Sequence, residues 1–210
     1  MSAAPAFAVP NANQQVCASI ADDGIAVVDQ FLPAAVIEAL AADARQREAA
    51  GDFHPAGVGR GAQRVVHHDI RGDRIAWLDA DDAAPALGSA NAALQALRGA
   101  LNATLFLGLF SFEGHYAIYP PGASYRRHRD RFRDDDARML SCVLYLNAGW
   151  TAAHSGALRI FADGGVRDVL PAAGTFVCFA SERFDHEVLP ATRARLSLTG
   201  WFKRRGAGPE

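Results

Sequence analysis

Hydrophobic residues recur at helical spacing in two stretches of the first half of the chain. The first stretch covers residues 33–50 and the second covers residues 85–105. Pro33 suits a first helical position, and Gly51 ends the first stretch. The apolar stripes consist of Val36, Ile37, Leu40 and Ala44 in the first stretch, and of Leu87, Ala90, Leu94, Leu97 and Leu101 in the second. We therefore predict two amphipathic helices, preceded by a short strand at residues 24–28.

The segments around these helices lack a clear period. Residues 1–20 are rich in Ala, Pro, Asn and Gln and are predicted to form a flexible tail. Between residues 51 and 82, glycines, arginines and histidines dominate, which indicates a long loop. A loop of this length within a compact domain is usually either functional or disordered. We expect this loop to be mobile, because it offers little apolar surface for packing.

After Gly108 the pattern changes to short apolar runs that are separated by turn residues. The runs cover residues 112–119, 125–130, 139–147, 157–161, 166–170, 174–179, 187–189 and 195–202. About eight short strands after two helices predict an α+β, mainly β fold, a small barrel or jelly roll with the helices packed outside. We divide the chain into the tail 1–20, a helical support region 21–107 and a core 108–205, with one folded domain at 21–205.

Composition and charge restrict the classes of function. The 210 residues are 50% hydrophobic and 21% charged, which is typical of a globular protein. The net charge of −2 provides no overall basic surface for nucleic acid or membrane. No apolar run approaches the roughly 20 residues that a bilayer requires, and residues 1–10 lack the features of a classical signal peptide. Three cysteines without a CxxC spacing favour a reduced, cytoplasmic protein.

Two histidines are followed two positions later by an aspartate. The pairs are His67/Asp69 and His128/Asp130, and about 0.8 such pairs are expected by chance. The second pair lies in a predicted strand, where alternation places both side chains on one face, close enough to bind one metal ion. A second imidazole is available from His186, at the start of another predicted strand. We interpret His67/Asp69 as the chance match, because nothing downstream supplies its third ligand.

An arginine accompanies this candidate ligand set. Two histidines and one carboxylate on one side of a metal form the facial triad of non-haem Fe(II) oxygenases. Nine residues after His186, Arg195 begins the last predicted strand, where it shares a face with Ser197, Thr199 and Trp201. A fixed positive charge that points into a small barrel is costly unless an anion meets it. A dicarboxylate co-substrate would meet it with bidentate hydrogen bonds.

Several segments in a fixed order resemble a known family. They are YPPGASYRRHRD at 119–130, CVLYLN at 142–147 followed by Trp150, GALRIF at 156–161, and the set of His186, Arg195 and Trp201. The segment IRGDRIAW at 70–77 resembles a mobile loop that covers a substrate. Over about residues 57–203, the chain thus resembles the Fe(II)- and 2-oxoglutarate-dependent dioxygenases, in particular the prolyl 4-hydroxylase family with its Egl-nine-like and bacterial branch.

The resemblance implies a double-stranded β-helix (jelly-roll) core and a role for each matching residue. The residues that would bind iron are His128, Asp130 and His186. The residues that would form the 2-oxoglutarate pocket are Arg195, Tyr145, Tyr119, Thr199 and Trp201. The residues expected on the substrate side are Asp73, Trp77, Tyr125 and Arg138. An ion pair between Asp73 and Arg138 would tie the loop to the barrel.

The same resemblance implies the reaction and its partners. It implies 4-hydroxylation of a prolyl residue in a protein or peptide, with release of succinate and CO2. The cofactors and co-substrates would be Fe(II), 2-oxoglutarate, O2 and L-ascorbate. We expect a monomer in the cytoplasm that binds neither nucleic acid nor membrane. The turn after Tyr119 carries two prolines, and only Gly156 remains of the glycine pair before Leu158, so the peptide specificity is left open.

Two other readings of the sequence remain open. The first is a different 2-oxoglutarate oxygenase, acting on an amino acid or a nucleic acid. Nucleic-acid demethylases of this kind typically carry a second arginine six residues after the first, where this chain has Trp201, and the basic run at 126–133 is followed by three aspartates. The second is a metal-binding, cupin-like protein that is not an oxygenase. Arg195 and Tyr145 argue against it, because a simple metal site has no need of a neighbouring anion site.

Overall fold

The computed structural model of this chain describes residues 11–57, 70–79, 82, 84–130 and 137–205. Its helices are α1 (Ala12–Asp22), α2 (Ala34–Ala50) and α3 (Pro85–Leu105), with a short 3₁₀ turn at Ala152–His154. The two predicted helices are confirmed as α2 and α3; α3 buries its whole predicted stripe, and α2 buries its stripe except for Val36, which is partly buried. None of the helices in these ranges is long and apolar enough to cross a membrane.

The strands confirm the predicted runs, with ends shifted by a few residues. They are β1 (Ile25–Val28), β2 (His54–Pro55), β3 (Arg74–Trp77), β4 (Leu109–Tyr119), β5 (Tyr125–His128), β6 (Arg138–Tyr145), β7 (Leu158–Ala162), β8 (Gly165–Val169), β9 (Phe176–Ala180), β10 (Asp185–Val188) and β11 (Arg195–Arg204). They form two antiparallel sheets, with the strand orders β1-β9-β6-β11-β4-β3-β2 and β5-β10-β7-β8.

The two sheets enclose one apolar layer, and the helices add a second. Between the sheets, Tyr145 from the larger sheet packs with Ile160 and Val188 from the smaller one. On the outer face of the larger sheet, Leu144 and Leu198 pack with residues of all three helices. This arrangement is the predicted double-stranded β-helix with helices packed outside.

Strand β11 lies between β4 and β6 and shows how alternation builds the interior. Leu196 and Leu198 belong to the layer beneath the helices. The residues between and around them, such as Arg195 and Thr199, line a cavity on the opposite face, between the sheets. The predicted inward orientation of Arg195 is therefore confirmed.

The prediction of a flexible tail at residues 1–20 is wrong for residues 12–20, which belong to α1. A capping box joins the Asn11 and Gln14 side chains to each other's backbone N–H groups at the start of this helix. Val16 and Cys17 are buried where α1 packs against β1 and α3. These two apolar contacts depend on distant parts of the chain, so the polar composition of the segment concealed the helix.

The predicted loop at residues 51–82 contains two short strands. Strand β3 pairs with β4, and β2 pairs with β3 through His54 and Ile75. Arg74 also forms an ion pair with Glu48 of α2. Both ends of the loop are therefore anchored to the body of the protein, while the alternative pair His67/Asp69 lies outside the described residues.

Candidate active site

The three candidate metal ligands meet on neighbouring strands of the smaller sheet. His128 ends β5 and is the register partner of His186 on β10, while Asp130 follows two residues after His128. Their ligand atoms all lie within 4.8 Å of one another. Nε2 of His128 is 3.6 Å from Asp130 Oδ1, and Nε2 of His186 is 3.7 Å from Asp130 Oδ2. The predicted constellation is thus assembled by strand pairing.

Both imidazoles turn the same nitrogen toward the carboxylate. Nδ1 of His128 donates to the Arg126 carbonyl at 2.7 Å, and Nδ1 of His186 lies 3.4 Å from the Phe184 carbonyl. A carbonyl oxygen only accepts, so each Nδ1 carries the proton and each Nε2 keeps its lone pair for a metal. Two such nitrogens and one carboxylate oxygen are a donor set that suits Fe(II).

The protonation states of the buried groups also suit a metal site. Burial lowers the pKa of His186 to about 4, against the opposing charge of Asp130. Burial would raise the pKa of the Asp130 carboxyl, but His186, His128 and a hydrogen bond from Ser141 outweigh it and lower that pKa below its usual range. At neutral pH, Asp130 is ionised and His186 is neutral, which are the forms that bind a divalent metal.

A buried arginine supplies the second part of the site. Arg195 is 2% exposed, donates from Nε to the Gly156 carbonyl and donates from Nη2 to the Tyr145 hydroxyl, each at 3.1 Å. No carboxylate of the described residues forms an ion pair with it. Burial raises the pKa of the Tyr145 phenol, so its hydroxyl keeps a proton that it can donate. Arg195 and Tyr145 together form a preformed site for an anion.

One cavity between the sheets connects the metal ligands with Arg195. Its lining also includes Tyr119, Thr199 and Trp201, as predicted for the 2-oxoglutarate pocket. The indole Nε1 of Trp201 is buried without a hydrogen-bond acceptor in the described part of the chain. The cavity therefore offers a charged group and a further donor to a bound molecule, and it fits a metal ion with an anionic co-substrate.

Comparisons with known proteins agree with this geometry. The profile of the 2OG-Fe(II) oxygenase superfamily matches residues 114–203, which hold the three metal ligands and Arg195. The crystal structure of a Pseudomonas putida prolyl-4-hydroxylase is 52% identical in sequence and has a TM-score of 0.83, and the match covers 91% of this chain and 98% of that one. This chain belongs to the prolyl hydroxylases of the 2OG-Fe(II) oxygenase superfamily. The family resemblance seen in the sequence is confirmed.

Two more distant proteins match over most of the chain. Egl nine homolog 1 of Homo sapiens is 32% identical over 189 residues, which are 85% of this chain and 43% of that protein. A prolyl hydroxylase from Trichoplax adhaerens, solved with a peptide fragment of the hypoxia inducible factor oxygen degradation domain, is 25% identical with a TM-score of 0.83, covering 91% of this chain and 88% of that one. The chain spans about half the length of the Egl nine homologs that it matches.

The residues predicted on the substrate side form ion pairs that differ from the prediction. The Asp73 carboxylate is buried and accepts two hydrogen bonds from Arg71, at 2.6 and 2.9 Å. Arg138 lies over the Trp201 ring at 3.5 Å and is 3.7 Å from Glu113. Arg71 is only two residues from Asp73 on the same segment, so it takes the place that the sequence analysis gave to Arg138.

The aromatic residues expected near the substrate occupy different positions. Tyr125 stacks on the imidazole of the ligand His128 at 3.5 Å and lines the cavity. The guanidinium group of Arg71 lies over the Tyr125 ring, 4.8 Å from the ring centroid. Trp77 is 42% exposed and packs edge-on against His115, outside the lining of the cavity. Tyr125 is therefore part of the site itself, whereas Trp77 lies at its flank.

Sequence reasoning missed several residues that line the cavity. Arg71, His115 and Ser141 all contribute to its wall. Ser141 donates from Oγ to Asp130 Oδ2 at 2.7 Å, so it contacts a metal ligand directly. A signal for Ser141 was present, because alternation along β6 puts Ser141 on the same face as Tyr145. No local sequence pattern predicts that Arg71 lines the cavity, because its position depends on the pairing between its segment and β5.

Proposed function

We propose that this chain is an Fe(II)- and 2-oxoglutarate-dependent dioxygenase that 4-hydroxylates a prolyl residue in a protein or peptide and releases succinate and CO2. The observation that carries the proposal is the buried Arg195, which shares a cavity with the metal triad and has no carboxylate partner among the described residues. A protein that only stores or senses a metal has no need for such a charge. The similarity to the prolyl-4-hydroxylase of Pseudomonas putida supports the choice of proline.

Different side chains of the cavity would bind the metal and the co-substrate. His128, Asp130 and His186 would hold Fe(II), while Arg195 and Tyr145 would hold the distal carboxylate of 2-oxoglutarate. When bound, iron and the oxo acid supply the oxidising power that places one oxygen atom of O2 on the substrate and the other in succinate. The apolar wall formed by Val143, Leu158 and Val188 excludes water from the reacting groups.

A peptide substrate is supported by the mouth of the cavity. Tyr125 presents an aromatic face beside the metal ligands, and Arg138, stacked on Trp201, adds a cation nearby. Asp73 would act through Arg71, and Trp77 would contact the substrate from the flank. We propose that the loop within residues 51–82 covers the peptide; residues 58–69 of this loop lie outside the described residues, and β2 and β3 anchor the parts on either side. The prolyl hydroxylase of Trichoplax adhaerens, solved with a peptide, supports this class of substrate.

Further features belong to the same proposal. L-Ascorbate would keep the iron reduced between turnovers. The protein would act as a cytoplasmic monomer on a protein substrate, and neither nucleic acid nor membrane would be its partner. In the proposed domain organisation, residues 12–107 form the helical support region with the substrate loop, and residues 108–205 form the catalytic core.

The test is a search for the oxidised product. The purified protein is incubated with cell extract, Fe(II), 2-oxoglutarate and ascorbate, and tryptic peptides are compared by mass spectrometry for prolines that gain one oxygen atom. We expect such peptides with the wild type and with His67→Ala, and none with His128→Ala or Asp130→Ala. Turnover of 2-oxoglutarate coupled only to free amino acids or nucleic acids would overturn the choice of substrate. Retained activity in Asp130→Ala, with loss in Asp69→Ala, would overturn the choice of metal site.

A further inference from the structure

Two buried serines lie behind the ligand Asp130. Ser141, on β6, is 2% exposed, and Ser181, just after β9, is fully buried. The Oγ of Ser141 is 2.7 Å from Asp130 Oδ2 and 2.8 Å from the Oγ of Ser181. Pairing of β6 with β9 brings the two serines together, because Leu140 and Ala180 are register partners beside them. A metal ligand is thus connected to a chain of two hydroxyl groups in the interior of the protein.

The chemistry of the three groups determines which group donates and which accepts in each of these hydrogen bonds. An ionised carboxylate only accepts hydrogen bonds, whereas a serine hydroxyl has a single hydrogen to donate. Ser141 must therefore donate to Asp130, and its oxygen must accept the hydrogen of Ser181. Each hydrogen bond polarises the next one in such a chain, and burial strengthens both. The arrangement has one consistent pattern of donors, which specifies one orientation of the carboxylate.

Asp130 needs such support because its backbone lies beyond the end of β5. His186 is held by the strand ladder of β10, and His128 closes β5, but Asp130 follows two residues later and is not a register partner in the sheet. Its side-chain torsions are therefore not fixed by the pairing of strands. The hydrogen bond from Ser141 engages Oδ2, which also faces His186 Nε2 at 3.7 Å, while Oδ1 faces His128 Nε2 at 3.6 Å.

We infer that Ser141, supported by Ser181, is a positioning residue that holds the Asp130 carboxylate in the orientation needed for metal binding. The inference rests on the proposed function as far as the metal is concerned. Without the hydroxyl, the carboxylate would lose the hydrogen bond that fixes its torsions, so it would be less well oriented to bind a metal together with the two imidazoles. Hydrogen bonds to metal ligands from outside the coordination sphere typically contribute 10–100-fold to metal affinity.

Matched variants separate positioning from ordinary packing. Ser141→Ala removes the donor to Asp130, Ser141→Thr keeps a hydroxyl at the same place, and Ser181→Ala removes only the donor to Ser141. Thr175→Val is the control, because Thr175 is a buried hydroxyl that donates to a carboxylate, Asp29, at 2.9 Å outside the cavity. If Ser141 and Ser181 only contributed to packing, the variants that lack a hydroxyl would lower the stability of the protein and leave its metal affinity unchanged.

The readouts are Fe(II) affinity by anaerobic titration, the visible spectrum of the Co(II)-substituted protein and urea unfolding of the metal-free protein. We expect Ser141→Ala to weaken Fe(II) binding about ten-fold or more and to alter the Co(II) spectrum. Ser181→Ala should show a smaller effect in the same direction, and Ser141→Thr should return to wild-type values. Thr175→Val should lower the unfolding midpoint without a change in metal affinity.

Two outcomes overturn the inference. One is a Ser141→Ala variant that binds Fe(II) and Co(II) with the affinity and spectrum of the wild type. The other is a loss of metal affinity in Thr175→Val equal to that in Ser141→Ala, which would trace the effect to general destabilisation. Neither readout requires a prolyl substrate. A wild type that binds metal but hydroxylates no proline would therefore contradict the proposed function and leave the inference standing.

Discussion

At the scale of single residues, the site is governed by hydrogen bonds that leave selected atoms unused. The Nδ1 atoms of His128 and His186 face backbone carbonyls, so that only Nε2 remains for a metal. Arg195 uses Nε and Nη2 for Gly156 and Tyr145 and still carries a full positive charge without a carboxylate partner in the described ranges. The Nε2 atoms and the arginine charge, which have no such partner, indicate what the cavity binds.

The first prediction concerns binding of the co-substrate by Arg195 and Tyr145. Arg195→Lys should weaken 2-oxoglutarate binding about ten-fold or more, because an ammonium group cannot make the planar bidentate contact. Tyr145→Phe should have a smaller effect in the same direction, because it removes one hydroxyl and no charge. Anaerobic titration of the Fe(II)-loaded protein, followed by its visible charge-transfer band, measures both.

Iron affinity is the control for this experiment and should stay nearly unchanged in both variants. Pyruvate, which lacks the distal carboxylate, should bind far more weakly than 2-oxoglutarate to the wild type. Wild-type affinity for 2-oxoglutarate in Arg195→Lys would remove the case for the anion site.

At the level of elements, backbone hydrogen bonds hold the described ends of the loop between α2 and α3. The N–H of Gly72 donates to the Ser124 carbonyl and the N–H of Arg126 donates to the Ile70 carbonyl, each at 2.9 Å. The N–H of Ala56 donates to the Asp73 carbonyl at 3.0 Å. The segment that carries Arg71 and Asp73 is thus joined to β5, which carries the ligand His128.

The second prediction is that this loop acts on substrate and not on the fold. Replacement of residues 58–69 by a short Gly-Ser linker should reduce hydroxylation of a protein substrate strongly, because the anchored strands β2 and β3 remain while the segment that we propose to cover the substrate is lost. Uncoupled decarboxylation of 2-oxoglutarate should change little, since the metal and anion sites lie between the sheets. Product analysis by mass spectrometry and succinate release provide the two rates. Equal losses in both would show that the segment is structural.

The third prediction concerns Gly200, which lies where the larger sheet leaves no space for a side chain. A Cβ atom at Gly200, in the middle of β11, would collide with the Glu113 carbonyl and the Phe112 ring. Gly200→Ala should therefore lower the free energy of unfolding by about 1–3 kcal/mol, as expected for overpacking. Gly88→Ala is the matched control, because nothing lies within 4 Å of a Cβ at that position in α3. This control should raise the stability by about 0.5–1 kcal/mol. Urea unfolding of both variants decides, and equal stability of Gly200→Ala and wild type would contradict the packing argument.

At the scale of the whole molecule, the burial that creates the site also connects its charges to folding. Asp130 and His186 lie between the sheets, where Phe179 packs against the His186 ring at 4.8 Å. An unfolded chain would expose both groups to water and restore their ordinary proton affinities. The stability of the metal-free protein must therefore depend on pH.

The fourth prediction gives the sign of this dependence. Burial lowers the pKa of His186 in the folded protein to about 4, below the ordinary value of 6.5. Between these values the unfolded state binds a proton that the folded state does not, so the free energy of unfolding falls as the pH decreases from about 6.5 towards 4, by about 3 kcal/mol. Full stability is present above pH 6.5. Urea unfolding of the metal-free protein across this range measures the slope.

The controls for the pH experiment are two histidine variants. His54→Gln changes an exposed histidine on β2 and should keep the slope. His186→Asn removes the buried imidazole and should flatten it. An unchanged slope in His186→Asn would assign the acid sensitivity to other groups.

Features that depend on local periodicity could be predicted from the sequence alone. The apolar stripes that include Leu40 and Leu97 predicted α2 and α3, because a helix returns a residue to the same face every three or four positions. Alternation along the last strand directed Arg195 into the interior, and the spacing of His128 and Asp130 placed two ligands on one side. The order of these residues along the chain was enough to indicate the family.

Contacts between groups that are distant in sequence depend on the three-dimensional fold. The register of β5 against β10 brings His186 to His128, and the pairing of β6 with β9 brings Ser181 to Ser141 behind Asp130. Arg71 replaced Arg138 as the partner of Asp73 because backbone pairing across the mouth of the barrel fixes its segment. The helix α1 was missed because its stability comes from packing on β1 and α3 and not from its own composition. Strand register and long-range packing are properties of the folded chain, so no local pattern in the sequence encodes them one element at a time.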